Sequence, residues 1–281
     1  MMYIYFLAIG AVTVLLSQFL LHNIIKMLGN TDKEISTSVN YRGKAIPSIG
    51  GIAFVPILLV TMLLLLLQRS ESSQSYLRYL ALVLSMGFAG VVDDLVGDTK
   101  IKGFTNHIKS TLRGRMTTGF LKAFTGFLMA CIVNLGVTNS YMEFIINVLL
   151  ISLFANTLNL FDLRPGRAVK IFLTGSIILM AASVERLVEA MPLIILTLAA
   201  GLYIRYDLKE LCMLGDTGAN ILGITLGYYC TLMLNFNTKL LILAILVIFN
   251  VMSEKLSITE IISRSRLLSY IDNIGRGQKG N

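Results

Sequence analysis

The stretch GGIAFVPILLVTMLLLLLQ, residues 50–68, runs for nineteen residues without a single charge. As a helix rising 1.5 Å per residue it would be about 28 Å long, close to the roughly 30 Å hydrocarbon thickness of a bilayer. The chain repeats this pattern. Apolar windows of similar character cover 3–25, 76–92, 119–137, 142–160, 169–184, 188–204, 218–235 and 239–252. Hydrophobic residues make up 55% of the 281 and charged residues 14%, against roughly 25% charged in an ordinary globular domain. A soluble chain of this size could not hide so much apolar surface in one core. Disorder, a collagen-like fibre and a disulfide scaffold are excluded by the same composition. Open strands cannot satisfy their backbone in hydrocarbon. The expectation is therefore an all-α, polytopic integral membrane protein with about nine transmembrane helices. Pro56 and Pro192 fall inside apolar runs and are expected to kink them.

The distribution of charge sets the expected topology. Of the 24 Lys and Arg residues, 20 lie in or beside the segments 26–49, 93–118, 161–168, 205–217 and 253–281. Cytoplasmic loops collect these residues, so the N-terminus is expected outside and the C-terminus in the cytoplasm. The N-terminal run lacks a basic leader and a small-residue cleavage signal, and reads as a retained span. The net charge of +8 thereby has a topological explanation, and no nucleic-acid partner is expected. Residues 1–252 form the transmembrane domain and 253–281 a basic tail. In ITEIISRSRLLSYIDNI, 258–274, the apolar residues recur as in a helix lying on the inner membrane surface. Cys131, Cys212 and Cys230 show no metal-ligand spacing and read as small core residues, Cys212 as a bystander beside a loop.

Twelve of the 16 acidic residues share the face expected to be cytoplasmic, and several stand at the ends of apolar runs. Asp93 and Asp94 close the third run, Asp162 the fifth, and Asp216 opens the eighth. A carboxylate at the membrane boundary is costly and marks function unless it is merely a solvated helix end. Adjacent carboxylates need a counter-cation, and such hard oxygen donors suit Mg²⁺. Asn156, Asn159 and Asp162 are spaced to fall within about a 60° arc of one helix. Basic residues in the same loops, Arg42, Lys44, Lys100, Lys102, Lys109, Arg113, Arg164 and Arg167, would rim the site, and Gly215 and Gly218 flank Asp216. Carboxylates, a divalent cation, a basic rim and glycine turns together point to phosphoryl chemistry at a membrane surface.

Four motifs carry a resemblance to a known family. IPSIGG (46–51), VVDD (91–94), NTLNLFD (156–162) and LGDTGAN (214–220) resemble, in order and at matching run ends, the conserved motifs of the polyprenyl-phosphate N-acetylhexosamine-1-phosphate transferases. The similarity covers roughly residues 40 to 235. It implies transfer of a sugar phosphate from a UDP-amino-sugar donor to polyprenyl (undecaprenyl) phosphate with release of UMP. It also implies Mg²⁺, with Mn²⁺ as an alternative, a plasma-membrane location in a bacterium, and a homodimer as one possible assembly. On this resemblance Asp93 would position or deprotonate the lipid phosphate with Asp94 beside it, and Asp216 would be the main metal ligand. Asn156, Asn159 and Asp162 would line the nucleotide and metal cleft, Lys102 and Lys109 would contact phosphate, and Ser48 lies in the first motif.

The chain also departs from that pattern. Asp162 is followed by Leu163, Arg164, Pro165 and Gly166, so the second aspartate common in the family is absent. Arg164 or Arg167 would then touch phosphate or nucleotide. No histidine follows His107 and no tenth apolar run is present, which leaves the sugar donor open. His107 itself is a loop residue with a smaller claim on phosphate. A non-catalytic relative that binds polyprenyl phosphate or envelope partners is the alternative. A transporter ranks below both, because no repeat is visible and the carboxylates gather at one face rather than at the midplane.

Overall fold

A computed structural model of the chain describes residues 2–30, 37–97, 110–111 and 113–276. Each of the nine apolar windows becomes a helix. They are α1 (Met2–Asn30), α2 (Phe54–Leu67, entered through a 3₁₀ turn at Gly50–Ala53), α3 (Ser73–Val96), α4 (Thr118–Asn134), α5 (Tyr141–Phe161), α6 (Arg167–Ala182), α7 (Met191–Leu208), α8 (Gly215–Met233) and α9 (Phe236–Lys255). Two short helices follow, α10 (Ile258–Arg264) and α11 (Arg266–Asn273). Among the described residues six segments are long and apolar enough to cross a membrane: α1, 50–67, α3, α5, α7 and α9. The protein is thus an all-α, multi-pass membrane protein.

Local chemistry sets several helix starts. Thr117, Ser140 and Asn235 each turn a side-chain oxygen onto the amide three residues ahead, opening α4, α5 and α9, which satisfies donors that the helix itself leaves unpaired. Pro56 and Pro192 fall in the first turns of α2 and α7. Proline has no amide to lose there, so these residues open helices instead of kinking them.

The bundle is built around α8, in which all but two of nineteen residues are buried. It packs against α3, α5 and α6 and on the 50–53 turn. The crossing with α5 depends on glycine: a Cβ on Gly223 would stand 2.6 Å from the Cα of Ala155, and one on Gly227 2.6 Å from that of Ile151. Small residues let transmembrane backbones approach closely, where packing rather than the hydrophobic effect drives association. Large apolar side chains of α1, α3 and α9 point outward instead, among them Ile4, Leu7, Phe88, Leu241 and Ile248.

Extended backbone occurs only outside these helices among the described residues. β1 (Thr37–Val39) and β2 (Ala45–Pro47) form a small antiparallel hairpin. The chain beyond it pairs with the segment before α8: Met213 N donates to Pro47 O at 2.8 Å, Gly50 N to Met213 O at 2.9 Å, and Gly51 N to Leu214 O at 2.9 Å. Asn40 and Arg42 on the hairpin hold Glu210 at 2.9 and 3.0 Å. These contacts fix where α8 begins.

Candidate active site

The start of α8 is where the acidic residues meet. Gly215 has a φ of +74°, and a side chain on it would collide with the Ser48 carbonyl and the Asp94 carboxylate. Glycine is therefore required on both grounds. Asp94, in the last turn of α3, caps α8 from outside. Its carboxylate accepts from Asp216 N (2.8 Å), Thr217 N (2.9 Å) and Thr217 Oγ1 (2.6 Å). An anion at this end also complements the helix dipole. A Cβ on Gly90, one turn before Asp94, would stand 2.5 Å from the Cα of Thr217, so α3 and α8 touch through backbone here.

Asp93 and Asp216 face a common cation. Lys122, in the first turns of α4, places Nζ 2.7 Å from Asp93 Oδ2 and 2.6 Å from Asp216 Oδ1. The lysine is largely enclosed, whereas the Asp216 side chain keeps 34% of its surface open. Asp216 is therefore the more reachable of the two carboxylates. In the sequence Lys122 is one of the 20 basic residues in or beside the loop segments, with no role beyond topology. Its position in the fourth apolar run was the available signal, since a lysine inside a span needs an anionic partner.

Asp162 caps the C-terminal end of α5 and accepts a backbone bond from Gly215. Burial pushes its carboxyl well above the ordinary carboxylate range, and the nearby Asp207, Asp216 and Asp94 push it further. Asp207, near the end of α7, is only 3% exposed and accepts from Gly166 N at 2.8 Å. Sequence reasoning passed over it, because in YIRYDLKE it looks like one charge among several at a helix end. The adjacent Cys212 is fully buried, and burial pushes its thiol up to about 12, which disfavours the thiolate near neutrality.

The expected polar stripe on α5 divides between two neighbours. Asn156 donates to Asn250 Oδ1 of α9, and Asn159 to Asn220 Oδ1 of α8, both at 2.6 Å. Asn159 Oδ1 and Asn220 Nδ2 are buried with no partner among the described residues. Unpaired groups of this kind are uncommon in folded proteins. Asn220 lies in the LGDTGAN motif, where sequence reasoning gave it no role.

The basic residues fare differently. Arg164 stacks over the Tyr41 ring with its guanidinium carbon 4.3 Å from the centroid. Arg167 is buried, and its Nε and Nη2 both donate to the Asp272 carboxylate at 2.8 Å, so the tail occupies the guanidinium expected to meet phosphate. Ser48 is buried, with its backbone against Gly215. Lys100, Lys102, His107 and Lys109 lie outside the described residues. No protein-family model matches the chain, and no curated protein matches it.

Proposed function

We propose that the chain is an integral-membrane phosphoglycosyltransferase that moves an amino-sugar 1-phosphate from a UDP-sugar to polyprenyl phosphate and releases UMP. The observation that carries this reading is the convergence of Asp93, Asp94, Asp162 and Asp216, from α3, α8 and the end of α5, on the glycine-opened start of α8. The motif resemblance adds the substrate class. In the reaction, an oxygen of the lipid phosphate bonds to the phosphorus carrying the sugar. The bond from that phosphorus to the bridging oxygen breaks, and UMP leaves with that oxygen. Catalysis would come largely from alignment and charge neutralisation. Direct attack and a two-step path through an aspartate both fit.

The donor set suits Mg²⁺, a hard cation that commonly takes one or two protein carboxylates and completes its shell with phosphate and water. Asp216 and Asp93 are the residues that would hold it. Among the described residues no three His, Cys, Asp or Glu side chains form a ready-made metal cage, so phosphate and water would have to supply the rest of the shell. When bound, the ion would neutralise phosphate charge. Asp94 fixes the start of α8 so that Asp216 points into the site. Lys122 holds Asp93 and Asp216 together. Nine crossings, an outside N-terminus and a cytoplasmic site belong to the same proposal, supported by the asymmetry of 20 basic residues in 24.

A second reading, a non-catalytic binder of polyprenyl phosphate, is favoured by Lys122 standing between the two carboxylates. The separating experiment is UMP release by purified protein with undecaprenyl phosphate and Mg²⁺ over a panel of UDP-sugars. Lipid-dependent release that EDTA and Asp216→Asn abolish is expected. Lipid binding without release from any donor would establish the second reading.

A further inference from the structure

The tail is built inside out. Along α11 and its flanks, Ser265, Ser269, Asp272 and Arg276 form the half-sheltered side, at the spacing of a single helical seam. Leu267, Leu268, Tyr270, Ile271 and Ile274 are all exposed, Tyr270 by 70%. A helix on the surface of a soluble protein turns its apolar stripe to the core and its charges to water; α11 does the reverse.

The polar seam is firmly held. Asp272 accepts two bonds from Arg167 and two from Arg276, all between 2.8 and 2.9 Å. Arg276 Nε donates to Pro165 O at 2.8 Å, and Lys170 Nζ donates to the carbonyls of Ile271 (3.1 Å) and Asp272 (2.9 Å). The helix is thus clamped by charged and polar contacts to the segment that directly follows Asp162.

We infer that the outward face of α11 docks on the bilayer surface, and that the tail thereby pins segment 165–170 beside the carboxylate site to the membrane. Three observations select lipid as the occupant. α9 is apolar and largely outward-facing, and only Leu256 and Ser257 separate its end from α10, so the tail leaves the last long apolar helix at the membrane boundary. Arg264 and Arg266 are exposed at the junction of α10 and α11, where basic side chains are drawn to anionic headgroups. Tyr270 supplies the amphipathic ring that settles at headgroup depth. Leucine and isoleucine immerse to the acyl boundary in helices of this type. The inference rests on the multi-pass architecture and not on the proposed transferase activity.

The chain contains no tryptophan, so a single introduced one is a clean reporter. Full-length Tyr270→Trp protein, reconstituted in phosphatidylcholine–phosphatidylglycerol vesicles, is expected to fluoresce at shorter wavelength than a hydrated indole. Lipids brominated on the acyl chain should quench it, and aqueous iodide should lose most of its quenching. Ile274→Trp, one turn further along the same face, gives an independent reading should the first variant fold poorly. Adding Leu267→Glu and Ile271→Glu should abolish the bromine quenching. Full iodide access with no bromine quenching would overturn the inference. So would emission that depends on protein-to-lipid ratio and ignores bromine, which would indicate a second copy of the chain on this face. Neither readout requires turnover, so failure here and failure of the transferase reading are separable.

Discussion

Replacing Lys122 with methionine isolates the ion triad. The side chain keeps its length and apolar stem, but Asp93 and Asp216 lose their common cation. Their bonded oxygens lie 2.7 and 2.6 Å from the same nitrogen, and so no more than about 5 Å from each other. At an effective dielectric of about 20, two unit charges at that distance repel by about 3 kcal/mol. Removing one partner of a buried pair costs about 3–5 kcal/mol, and the partial exposure of Asp216 favours the lower end. A loss of about 3 kcal/mol corresponds to a fall of about 6–12 °C in Tm by the scaling for larger domains. Thermal unfolding in detergent, followed by circular dichroism, measures it. The double variant Lys122→Met/Asp216→Asn should recover part of the loss, since only one carboxylate remains charged, and Mg²⁺ should stabilise Lys122→Met more than the parent protein. Lys122→Met melting within about 2 °C of the parent, with additive behaviour in the double variant, would refute the idea that this lysine neutralises the site.

Three other outcomes follow from the same geometry. Burial first, then the neighbouring aspartates, raises the Asp162 carboxyl. The folded state therefore holds a proton that the unfolded chain gives up near pH 4, and stability falls as pH rises from there through the raised value; Asp162→Asn should raise Tm at pH 7 in metal-free buffer while eliminating UMP release, with an unchanged Tm refuting the burial argument. Burial also acts to raise the Asp272 carboxyl, but its bonds from Arg167 and Arg276 outweigh this and hold it well below the usual range. Its contribution is present above about pH 4 and is lost only as pH falls through that depressed value, so the tail should resist limited proteolysis equally at pH 7 and pH 5, whereas Asp272→Asn should be cut rapidly at both. Gly223→Ala should cost about 1–3 kcal/mol by forcing α8 from α5, while Gly201→Ala, with nothing within 4 Å of the added carbon, should leave Tm unchanged or slightly raised.

The helices were legible because lipid imposes a simple rule: each long apolar run must close its own backbone bonds. All nine runs accordingly became helices, with ends moved by a few residues where caps such as Thr117 and Asn235 or polar extensions such as Asp93-Asp94 intervened. The site was legible where residues cluster in sequence, as in VVDD and LGDTGAN. The candidate site was not legible where its geometry depends on long-range pairing. Lys122 is 29 residues from Asp93 and 94 from Asp216, and nothing local to FLKAF announces that union. Asp272 is 105 residues from Arg167; amphipathic periodicity identified the tail but could not say which face the protein would claim. The hairpin at 37–47 escaped notice because its strands are three residues each, too short for alternation to register.

Charge at the site bears on the choice between the two functional readings. Asp93, Asp94, Asp162 and Asp216 meet at one helix start, and among the described residues the ion pairs to them run through Lys122 alone. Among the described residues the carboxylates outnumber the one ammonium, which disfavours a lipid phosphate, so a site that merely held that phosphate would gain by losing acids. The excess becomes useful when a divalent cation accompanies the ligand, because carboxylate, cation and pyrophosphate then alternate in sign. A proton on Asp162 relieves part of the repulsion until that cation arrives, in line with its raised carboxyl. Affinity for the lipid phosphate should therefore rise with Mg²⁺ in the parent protein. In Asp93→Asn and Asp216→Asn, metal-free binding should strengthen even as transfer is lost. Metal-free binding that weakens in both variants would mean that the carboxylates contact the ligand by hydrogen bonds, and the non-catalytic reading would then be the better one.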